Sequence, residues 1–295
     1  MTDAPRAVLD VGSNTIRLLV GRVHGATVDP VLDRSEFVRL GKDVDATGEL
    51  RPDRVEAALA AIASLSSVAR ELGATQILAI ATSAVRDARN GPQFARRVRE
   101  ETGIELEIIS GEREAQLTFR GATLGMRIEA GTIVCDVGGG SAEVIYADAD
   151  GVQWSSAEPL GSGRLTERFI THDPPRDEEL SALREGVRDR LRALPSARAA
   201  TAIFTGGTAT QLRRLAGEDR NVRGLDMGEV DEVVSLVTSR TAAELIRDYN
   251  VPEARAQVLP AGLVAIQTIA RFYGAERLCV TLHGIREGAL LEMGE

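Results

Sequence analysis

Apolar residues along the chain follow two alternating patterns, which together predict an α/β protein. Residues at helical spacing predict amphipathic helices over 55–72 and 180–194. Helices that alternate with strands in this way favour mainly parallel sheets covered by helices. Short apolar runs bounded by turn residues predict strands at Gln76 to Ala81, Glu105 to Ile109, Ala199 to Phe204 and Arg277 to Leu282.

One stretch of the sequence occurs twice, which indicates two related halves. The apolar run that reaches Asp10 is followed by a polar turn, and the apolar run that reaches Asp136 is followed by a turn rich in glycine. A second strand-like run follows each turn, so both copies predict a β-hairpin with an aspartate near its tip. A later pair of turns repeats in the same order, Thr82-Ser83 in the first half and Thr205-Gly206 in the second.

The repeat predicts two lobes. We expect an N-terminal lobe over residues 1–121 and a C-terminal lobe over residues 122–283. A last helix over residues 284–295 is expected to pack back on the first lobe, because chain termini often lie close together. No stretch rich in proline and serine separates the lobes, so we expect them to share a cleft.

The repeated turns carry residue types that bind phosphate. Glycine lets the backbone approach an anion without obstruction by a Cβ atom, and successive N–H groups form an anion-binding concavity. Hydroxyl and amide side chains add further donors. The predicted phosphate-binding residues are Ser13, Asn14 and Thr15 at the first hairpin, Gly138, Gly139, Gly140 and Ser141 at the second, and Gly206, Gly207 and Thr208 at the start of a helix.

Carboxylates near these turns predict a divalent cation. Mg²⁺ in proteins binds one or two carboxylates and completes its shell with phosphate oxygens and water. Asp136 and Glu143 flank the glycine turn, and Asp10 occupies the matching place at the first hairpin. Alternatives stay open at this point, because the two aspartates could instead cap their turns and Glu143 could be an exposed strand carboxylate.

Composition and charge restrict the class of partner. The 35 basic and 44 acidic residues give a net charge of −9, so we expect neither nucleic acid nor an anionic membrane as a partner. The apolar runs are too short to span a membrane, and Asp3 and Arg6 interrupt any N-terminal leader. We therefore expect a cytoplasmic protein.

Arginine is concentrated in two stretches that could attract a phosphate chain locally. For every residue in them except Arg86, the alternative is a solvated helix face. The first stretch contains Arg86, Arg89, Arg96, Arg97 and Arg99, and the second contains Arg213, Arg214, Arg220 and Arg223.

Five motifs in this sequence resemble those of one family. They are Asp10-Val-Gly-Ser-Asn-Thr15, Thr82-Ser-Ala-Val-Arg86-Asp-Ala, Ser110-Gly-Glu-Arg-Glu114-Ala, Asp136-Val-Gly-Gly-Gly-Ser-Ala-Glu143 and Thr205-Gly-Gly-Thr208. In this order they are similar to the motifs of the exopolyphosphatase / guanosine-pentaphosphate phosphohydrolase family. The resemblance implies the superfold of actin, sugar kinases and heat-shock chaperone ATPases, with two ribonuclease-H-like lobes and an interdomain cleft.

The resemblance also implies an activity and roles for residues. A member of this family removes a terminal phosphate with the help of Mg²⁺, for which Mn²⁺ is a substitute, and is expected to form a homodimer. Glu114 matches the family's general base in preference to its neighbour Glu112, and Asp136 and Glu143 match its metal-associated carboxylates. The positions that match residues along the phosphate path are Asn14, Arg86, Gly138, Ser141 and Gly207.

These observations favour an exopolyphosphatase that trims inorganic polyphosphate, with Glu114 activating water. Longer relatives carry a C-terminal helical extension that this sequence lacks, so we expect short chains to be favoured. A second hypothesis is removal of the γ-phosphate from guanosine pentaphosphate (pppGpp) or a nucleoside triphosphate. A third, of another class, is an actin-like nucleotide-binding interaction protein without turnover, and the fold alone is also compatible with a sugar or acid kinase.

Overall fold

Two separate sheets form from the apolar runs, one in each half of the chain, in the computed structural model, which describes residues 4–128, 131–217 and 224–294. The sheets belong to two units. Unit 1 contains Met1–Met126 together with His283–Glu295, and unit 2 contains Arg127–Leu282.

The sheet of unit 1 combines a hairpin with parallel strands. Its strands are β1 (Arg6–Val11), β2 (Thr15–His24), β3 (Thr27–Phe37), β4 (Ile77–Ala81) and β5 (Leu106–Ile108). They lie in the order β3-β2-β1-β4-β5. β1 and β2 form the antiparallel hairpin that β3 extends, whereas β4 and β5 are added in parallel.

Helices cover both faces of this sheet. They are α1 (Val44–Thr47), α2 (Pro52–Glu71), α3 (Ser83–Asp87), α4 (Gly91–Thr102), α5 (Gly111–Ala122) and the C-terminal α13 (Ile285–Met293). α2 begins at Pro52, whose missing N–H is not needed in a first turn, and buries Leu59 and Leu65 on one face of the sheet. α5 and α13 bury Leu117 and Leu290 on the other face.

The sheet of unit 2 repeats the same arrangement. Its strands are β6 (Thr132–Val137), β7 (Ala142–Asp148), β8 (Gly151–Glu158), β9 (Thr201–Thr205), β10 (Leu225–Asp226) and β11 (Arg277–Val280). Their order is β10-β11-β9-β6-β7-β8. Strands β8-β7-β6-β9-β11 therefore correspond to β3-β2-β1-β4-β5 of unit 1, and β10 is an addition at one edge.

The helices of unit 2 are built around one apolar core. They are α6 (Ser162–Phe169), α7 (Asp177–Arg192), α8 (Gly206–Ala216), α9 (Met227–Thr238), α10 (Ala242–Tyr249), α11 (Glu253–Ala256) and α12 (Leu259–Phe272). α12 is buried over most of its length and packs against α6, α7, α8 and α9. A helix that is apolar on all sides is typical of such a central position.

The prediction of an α/β protein with two related halves is confirmed, but the prediction of mainly parallel sheets is wrong. Both sheets are mixed, because each contains an antiparallel hairpin with a further antiparallel strand beside it. Those further strands, β3 and β8, lie at sheet edges and have mostly exposed or half-exposed side chains. They therefore lack the buried apolar run that the sequence analysis used to recognise a strand.

Across the residues that the structure describes, every helix is too short or too polar to cross a membrane.

Candidate functional site

The first predicted phosphate turn joins β1 to β2 and is held from two sides. Within the turn, the N–H of Gly12 donates to the carbonyl oxygen of Thr15 at 3.2 Å. The Ser13 hydroxyl lies 2.9 Å from the Ser83 hydroxyl at the start of α3. The N–H of Gly41 donates to the carbonyl oxygen of Ser13 at 2.8 Å. These hydrogen bonds hold the turn of Ser13, Asn14 and Thr15 beside α3.

Asp10, at the end of β1, faces a cation across the hairpin. Its cross-strand partner is Arg17, and Arg286 and Glu287 of α13 also act on it electrostatically. Burial raises the pKa of Asp10 above its usual range, and the two arginines oppose this rise only in part. Asp10 therefore lies in a mixed-charge environment within unit 1.

The predicted base and the predicted arginine meet directly. Glu114 lies in the first turn of α5, and it is only 6% exposed. Arg86 of α3 donates from Nη1 to Glu114 Oε2 at 2.7 Å and to the carbonyl oxygen of Ile109 at 3.2 Å. The alternative base, Glu112, is exposed on the same helix. Arg86 and Ser83 are three residues apart on α3, so this helix connects the base to the phosphate turn.

The second predicted phosphate turn, between β6 and β7, repeats the hydrogen bond of the first. Here the N–H of Gly138 donates to the carbonyl oxygen of Ser141 at 3.0 Å. The start of α6 supports the turn from behind, because the N–H groups of Ser162 and Gly163 donate to the carbonyl oxygens of Gly138 and Gly139. A Cβ at position 161 would lie 2.4 Å from the backbone of Gly140, so Gly161 permits this close approach.

Asp136 and Glu143 are directly opposite each other across the β6–β7 hairpin. Glu143 is 2% exposed, and its Oε1 accepts a hydrogen bond from the Ser141 hydroxyl at 2.7 Å. Directly opposed side chains of an antiparallel pair point to the same face of the sheet. The Asp136 and Glu143 carboxylates therefore lie side by side on one face of the sheet, next to the glycine turn.

The start of α8 adjoins this carboxylate pair. Gly206 has a φ of +85°, and a Cβ there would lie 2.0 Å from Asp136 Oδ1, so only glycine fits. The Thr208 hydroxyl donates to the carbonyl oxygen of Val137 at 3.2 Å, which ties the first turn of α8 to β6. The positive end of a helix dipole stabilises anions such as Asp136 or a phosphate.

Arg255 is a candidate that the sequence analysis missed. It lies on α11, and a Cβ at position 207 would be 2.1 Å from Arg255 Nη1. The guanidinium group therefore lies directly against Gly207, in the first turn of α8. Arginine binds phosphate oxygens through two parallel hydrogen bonds.

The pair of carboxylates in unit 2 fits Mg²⁺ by its chemistry. Hard carboxylate oxygens suit this cation, which needs only one or two carboxylates from the protein. Among residues 4–128, 131–217 and 224–294, no group of three or more histidine, cysteine, aspartate or glutamate side chains is gathered as for a metal ion. Asp136 and Glu143 would hold the cation. Asp10, the third predicted ligand, lies in unit 1 opposite Arg17, and its role as a ligand stays a prediction.

Many arginines of the first basic stretch form ion pairs on the surface. Arg89 pairs with Glu49, Arg97 with Glu56 and Glu101, and Arg99 with Glu105. These contacts favour the alternative given above for this stretch, a solvated helix face with paired charges rather than a surface that attracts a phosphate chain. In the second stretch Arg214 donates to the carbonyl oxygen of Tyr249, and Arg220 and Arg223 lie outside the described residues.

Known proteins share this architecture over nearly the whole chain. The sequence is 33% identical over 317 residues to exopolyphosphatase 2 of Mycobacterium tuberculosis, which covers 97% of this chain and 98% of that protein. It is 31% identical over 297 residues to exopolyphosphatase 1 of the same organism, which covers 96% and 86%. The crystal structure of the Ppx/GppA family member of Aquifex aeolicus is similar with a TM-score of 0.81 and 27% identity, covering 99% of this chain and 97% of that one.

These similarities agree with the motifs. The structural likeness confirms the predicted fold class, two α/β lobes of the ribonuclease-H-like type. A sequence model of the Ppx/GppA phosphatase family matches residues 19–295. The match includes the segments that carry Glu114, Asp136 and Glu143. The chain therefore belongs to the Ppx/GppA phosphatase family.

Proposed function

We propose that this protein is an exopolyphosphatase that hydrolyses the terminal phosphate of inorganic polyphosphate. The observation that carries the proposal is the opposed pair Asp136 and Glu143 beside the Gly138–Ser141 turn. Two relatives that the chain matches at 31% and 33% identity are named exopolyphosphatases, which supports the choice of substrate. We assign phosphate binding to unit 2 and water activation to unit 1.

In unit 2, the glycine turn, the start of α8 and Arg255 would bind the terminal phosphate. All three present donors or positive charge, and the glycines leave room for phosphate oxygens. Mg²⁺ bound at Asp136 and Glu143 would neutralise charge on the reacting phosphate and its leaving group. Mn²⁺ has similar ligand preferences and is a suitable substitute.

In unit 1, Glu114 would take a proton from the attacking water. The water oxygen forms a bond to the terminal phosphorus, the phosphoanhydride bond to the next phosphate breaks, and the shortened chain leaves as its anion. Such reactions depend mostly on positioning and on stabilising negative charge. Arg86 would orient the Glu114 carboxylate, to which it donates a hydrogen bond at 2.7 Å.

The test is phosphate release from polyphosphates of defined length by the wild type, Glu114→Gln and Glu112→Gln. We expect Mg²⁺-dependent release by the wild type and a fall in kcat of about 10²–10⁴-fold for Glu114→Gln, the usual contribution of a general base. Glu112→Gln is the matched control, since it removes an exposed carboxylate from the same turn of α5. Wild-type kcat in Glu114→Gln would contradict the role of Glu114, and no release from any chain length would contradict the substrate.

Chain length and nucleotide substrates are tested in the same assay. A series from triphosphate to long polyphosphate measures the predicted preference for short chains. A competition assay with guanosine pentaphosphate compares the two substrates considered for this family, polyphosphate and guanosine pentaphosphate. We expect polyphosphate to give the higher kcat/KM.

Two further expectations accompany the proposal. We propose that the protein is a homodimer, which light scattering of the purified chain would test. We also propose a cytoplasmic location, which cell fractionation would test.

A further inference from the structure

The loop of residues 38–43, which follows β3, is hydrogen-bonded to the first phosphate turn. Two of its N–H groups donate to the carbonyl oxygen of Asn14 at 2.9 Å, and the N–H of Gly41 donates to that of Ser13 at 2.8 Å. A Cβ at position 41 would lie 2.9 Å from Ser13 Cβ, so Gly41 lies directly against the turn. The next residue in the loop is Lys42.

The start of α6 meets the second phosphate turn in the same way. Gly139 holds the place in the second turn that Ser13 holds in the first. The N–H of Gly163 donates to the carbonyl oxygen of Gly139 at 2.9 Å. The next residue, Arg164, is a cation in the first turn of α6. The repeat therefore places one basic residue after the glycine that contacts each phosphate turn, Lys42 in unit 1 and Arg164 in unit 2.

The first turn keeps backbone donors for an anion. The loop occupies the carbonyl oxygens of Ser13 and Asn14, whereas the N–H groups of these two residues donate to no other group in the part of the chain that the structure describes. Successive N–H groups form an anion-binding concavity. In the loop, Arg39 has a φ of +55°, a left-handed conformation that is uncommon for a residue with a side chain. Backbone strain of this kind is concentrated at functional sites.

Lys42 is the single lysine among the 35 basic residues of the chain. Its ammonium group has no hydrogen bond or ion pair with any residue that the structure describes, and the adjacent Asp43 is paired with Arg51 at 2.8 Å. Lysine carries a compact charge with three rotatable donors on a flexible stem. An ammonium group of this kind, one residue from Gly41, is well suited to the oxygens of a phosphate at the turn.

We propose that Lys42 and Arg164 are phosphate-binding residues, one for each turn. Each adds charge-assisted hydrogen bonds to the weaker neutral ones that the backbone of its turn donates. Lys42 binds a phosphate of the substrate that does not react, because the reacting phosphate is assigned to unit 2, where Arg164 lies. This inference rests on the proposed function for the identity of the anion.

The test measures binding of inorganic tripolyphosphate in the presence of Mg²⁺ by isothermal titration calorimetry. The parent protein is Glu114→Gln, in which hydrolysis of the probe is slow. We expect Lys42→Gln and Arg164→Gln, each added to this parent, to raise Kd about tenfold through loss of a hydrogen bond to a charged group. Lys42→Arg and Arg164→Lys keep the charge and recover most of the affinity.

Two variants of equal charge serve as controls. Arg34 lies on the edge strand β3 and Arg168 near the end of α6, and both are exposed. Arg34→Gln and Arg168→Gln remove one positive charge each, and we expect neither to change Kd. In the wild-type background, Lys42→Gln and Arg164→Gln raise KM for tripolyphosphate about tenfold, with a smaller change in kcat and an unchanged Tm.

An unchanged Kd in Lys42→Gln or Arg164→Gln would overturn the assignment for that residue, as would an equal rise of Kd in its control. Absence of tripolyphosphate binding by the parent would overturn both assignments. Failure of the proposed function gives a different result. If the wild type releases no phosphate from any chain length while tripolyphosphate binding still depends on Lys42, only the hydrolase proposal is refuted.

Discussion

The hairpins of the two units have the same backbone arrangement but differ in the charge of the residue opposite their aspartate. Both turns are closed by the same N–H to carbonyl bond, at Gly12 in unit 1 and at Gly138 in unit 2. Across the strands, Asp10 faces Arg17, whereas Asp136 faces Glu143. The charge of Arg17 favours the ionised form of Asp10 and so opposes the effect of burial on its pKa. Two opposed carboxylates repel each other, and a bound cation would relieve this repulsion.

The other pair of repeated turns, at the starts of α3 and α8, also differs between the two units. At the start of α3, Ser83 directs its hydroxyl to Ser13. At the start of α8, the corresponding residue is Gly206, and the space of a side chain is occupied by the Asp136 carboxylate. The first turn is therefore braced by a pair of hydroxyl groups, whereas the second brings the Asp136 carboxylate to the start of α8. This difference is the reason that the proposed phosphate and metal chemistry is assigned to unit 2.

Removal of either carboxylate of unit 2 should have the largest effect. We expect Asp136→Asn and Glu143→Gln each to lower kcat at least about 100-fold, because each removes charge that would bind the proposed cation. The measurement is phosphate release as a function of Mg²⁺ concentration. Glu158→Gln is the control, a carboxylate on the neighbouring strand β8 of the same sheet. An effect of Glu158→Gln as large as that of Glu143→Gln would show that the loss is general.

A side chain at Gly206 should make unit 2 resemble unit 1. Gly206→Ala places a Cβ on the Asp136 carboxylate and forces alanine into a positive φ. We expect a stability loss of about 1–3 kcal/mol and a marked fall in kcat, measured by denaturant unfolding and by phosphate release. Ser83→Ala, at the matching position of unit 1, should cost only about 1 kcal/mol for the lost hydrogen bond. Equal effects of the two variants on kcat would remove the distinction between the turns.

Arg255 should affect substrate affinity more than turnover. Arg255→Gln removes the guanidinium group beside Gly207, and a hydrogen bond to a charged group is worth about 1.5–3 kcal/mol. We therefore expect KM for polyphosphate to rise about tenfold, with a smaller change in kcat. Arg247→Gln, which removes an arginine paired with Asp248 on the surface, is the control. An unchanged KM in Arg255→Gln would argue against phosphate binding by Arg255.

The raised pKa of Asp10 should make the stability of the protein depend on pH. Burial raises the pKa of Asp10, so the folded state binds this proton more tightly than the unfolded chain. The free energy of unfolding therefore decreases as the pH rises from the pKa of Asp10 in the unfolded chain, about 3.9, to its higher pKa in the folded protein. This loss of stability disappears when the pH falls back to about 3.9. We expect Asp10→Asn to have a higher Tm than the wild type at neutral pH, with a difference that shrinks toward pH values of about 4.

Thermal unfolding between pH 4 and pH 8 measures this effect. Arg17→Gln should act in the opposite direction, since Arg17 lowers the pKa of Asp10 and its removal makes ionised Asp10 less favourable. A Tm difference between Asp10→Asn and the wild type that is constant with pH would show that the titration of Asp10 does not contribute.

Much of the fold was predictable because it depends on local apolar runs and on the repeat. The hairpins at Asp10 and Asp136 are examples, since each strand is buried and each turn is short. The edge strands β3 and β8 were not predicted, because their side chains are mostly exposed or half-exposed and show no continuous apolar run. Their pairing depends on neighbouring strands rather than on their own composition.

Most residues of the candidate site could be predicted from the sequence, but the contacts between them could not. Glu114 and Arg86 were both proposed from motifs, but their ion pair depends on how α3 and α5 pack. Arg255 was missed because it lies far along the chain from Gly207, on a helix of four residues. The opposition of Asp10 and Arg17 had a signal in the sequence, since Arg17 holds the place in the first repeat that Glu143 holds in the second.

Metal binding to single-site variants tests the central difference between the hairpins most directly. Mn²⁺ binding to the wild type, Asp136→Asn and Asp10→Asn can be measured by electron paramagnetic resonance without substrate. We expect the wild type and Asp10→Asn to bind Mn²⁺ with the same affinity and Asp136→Asn to lose this binding. Loss of binding in Asp10→Asn, with binding retained in Asp136→Asn, would refute the proposed metal site in unit 2.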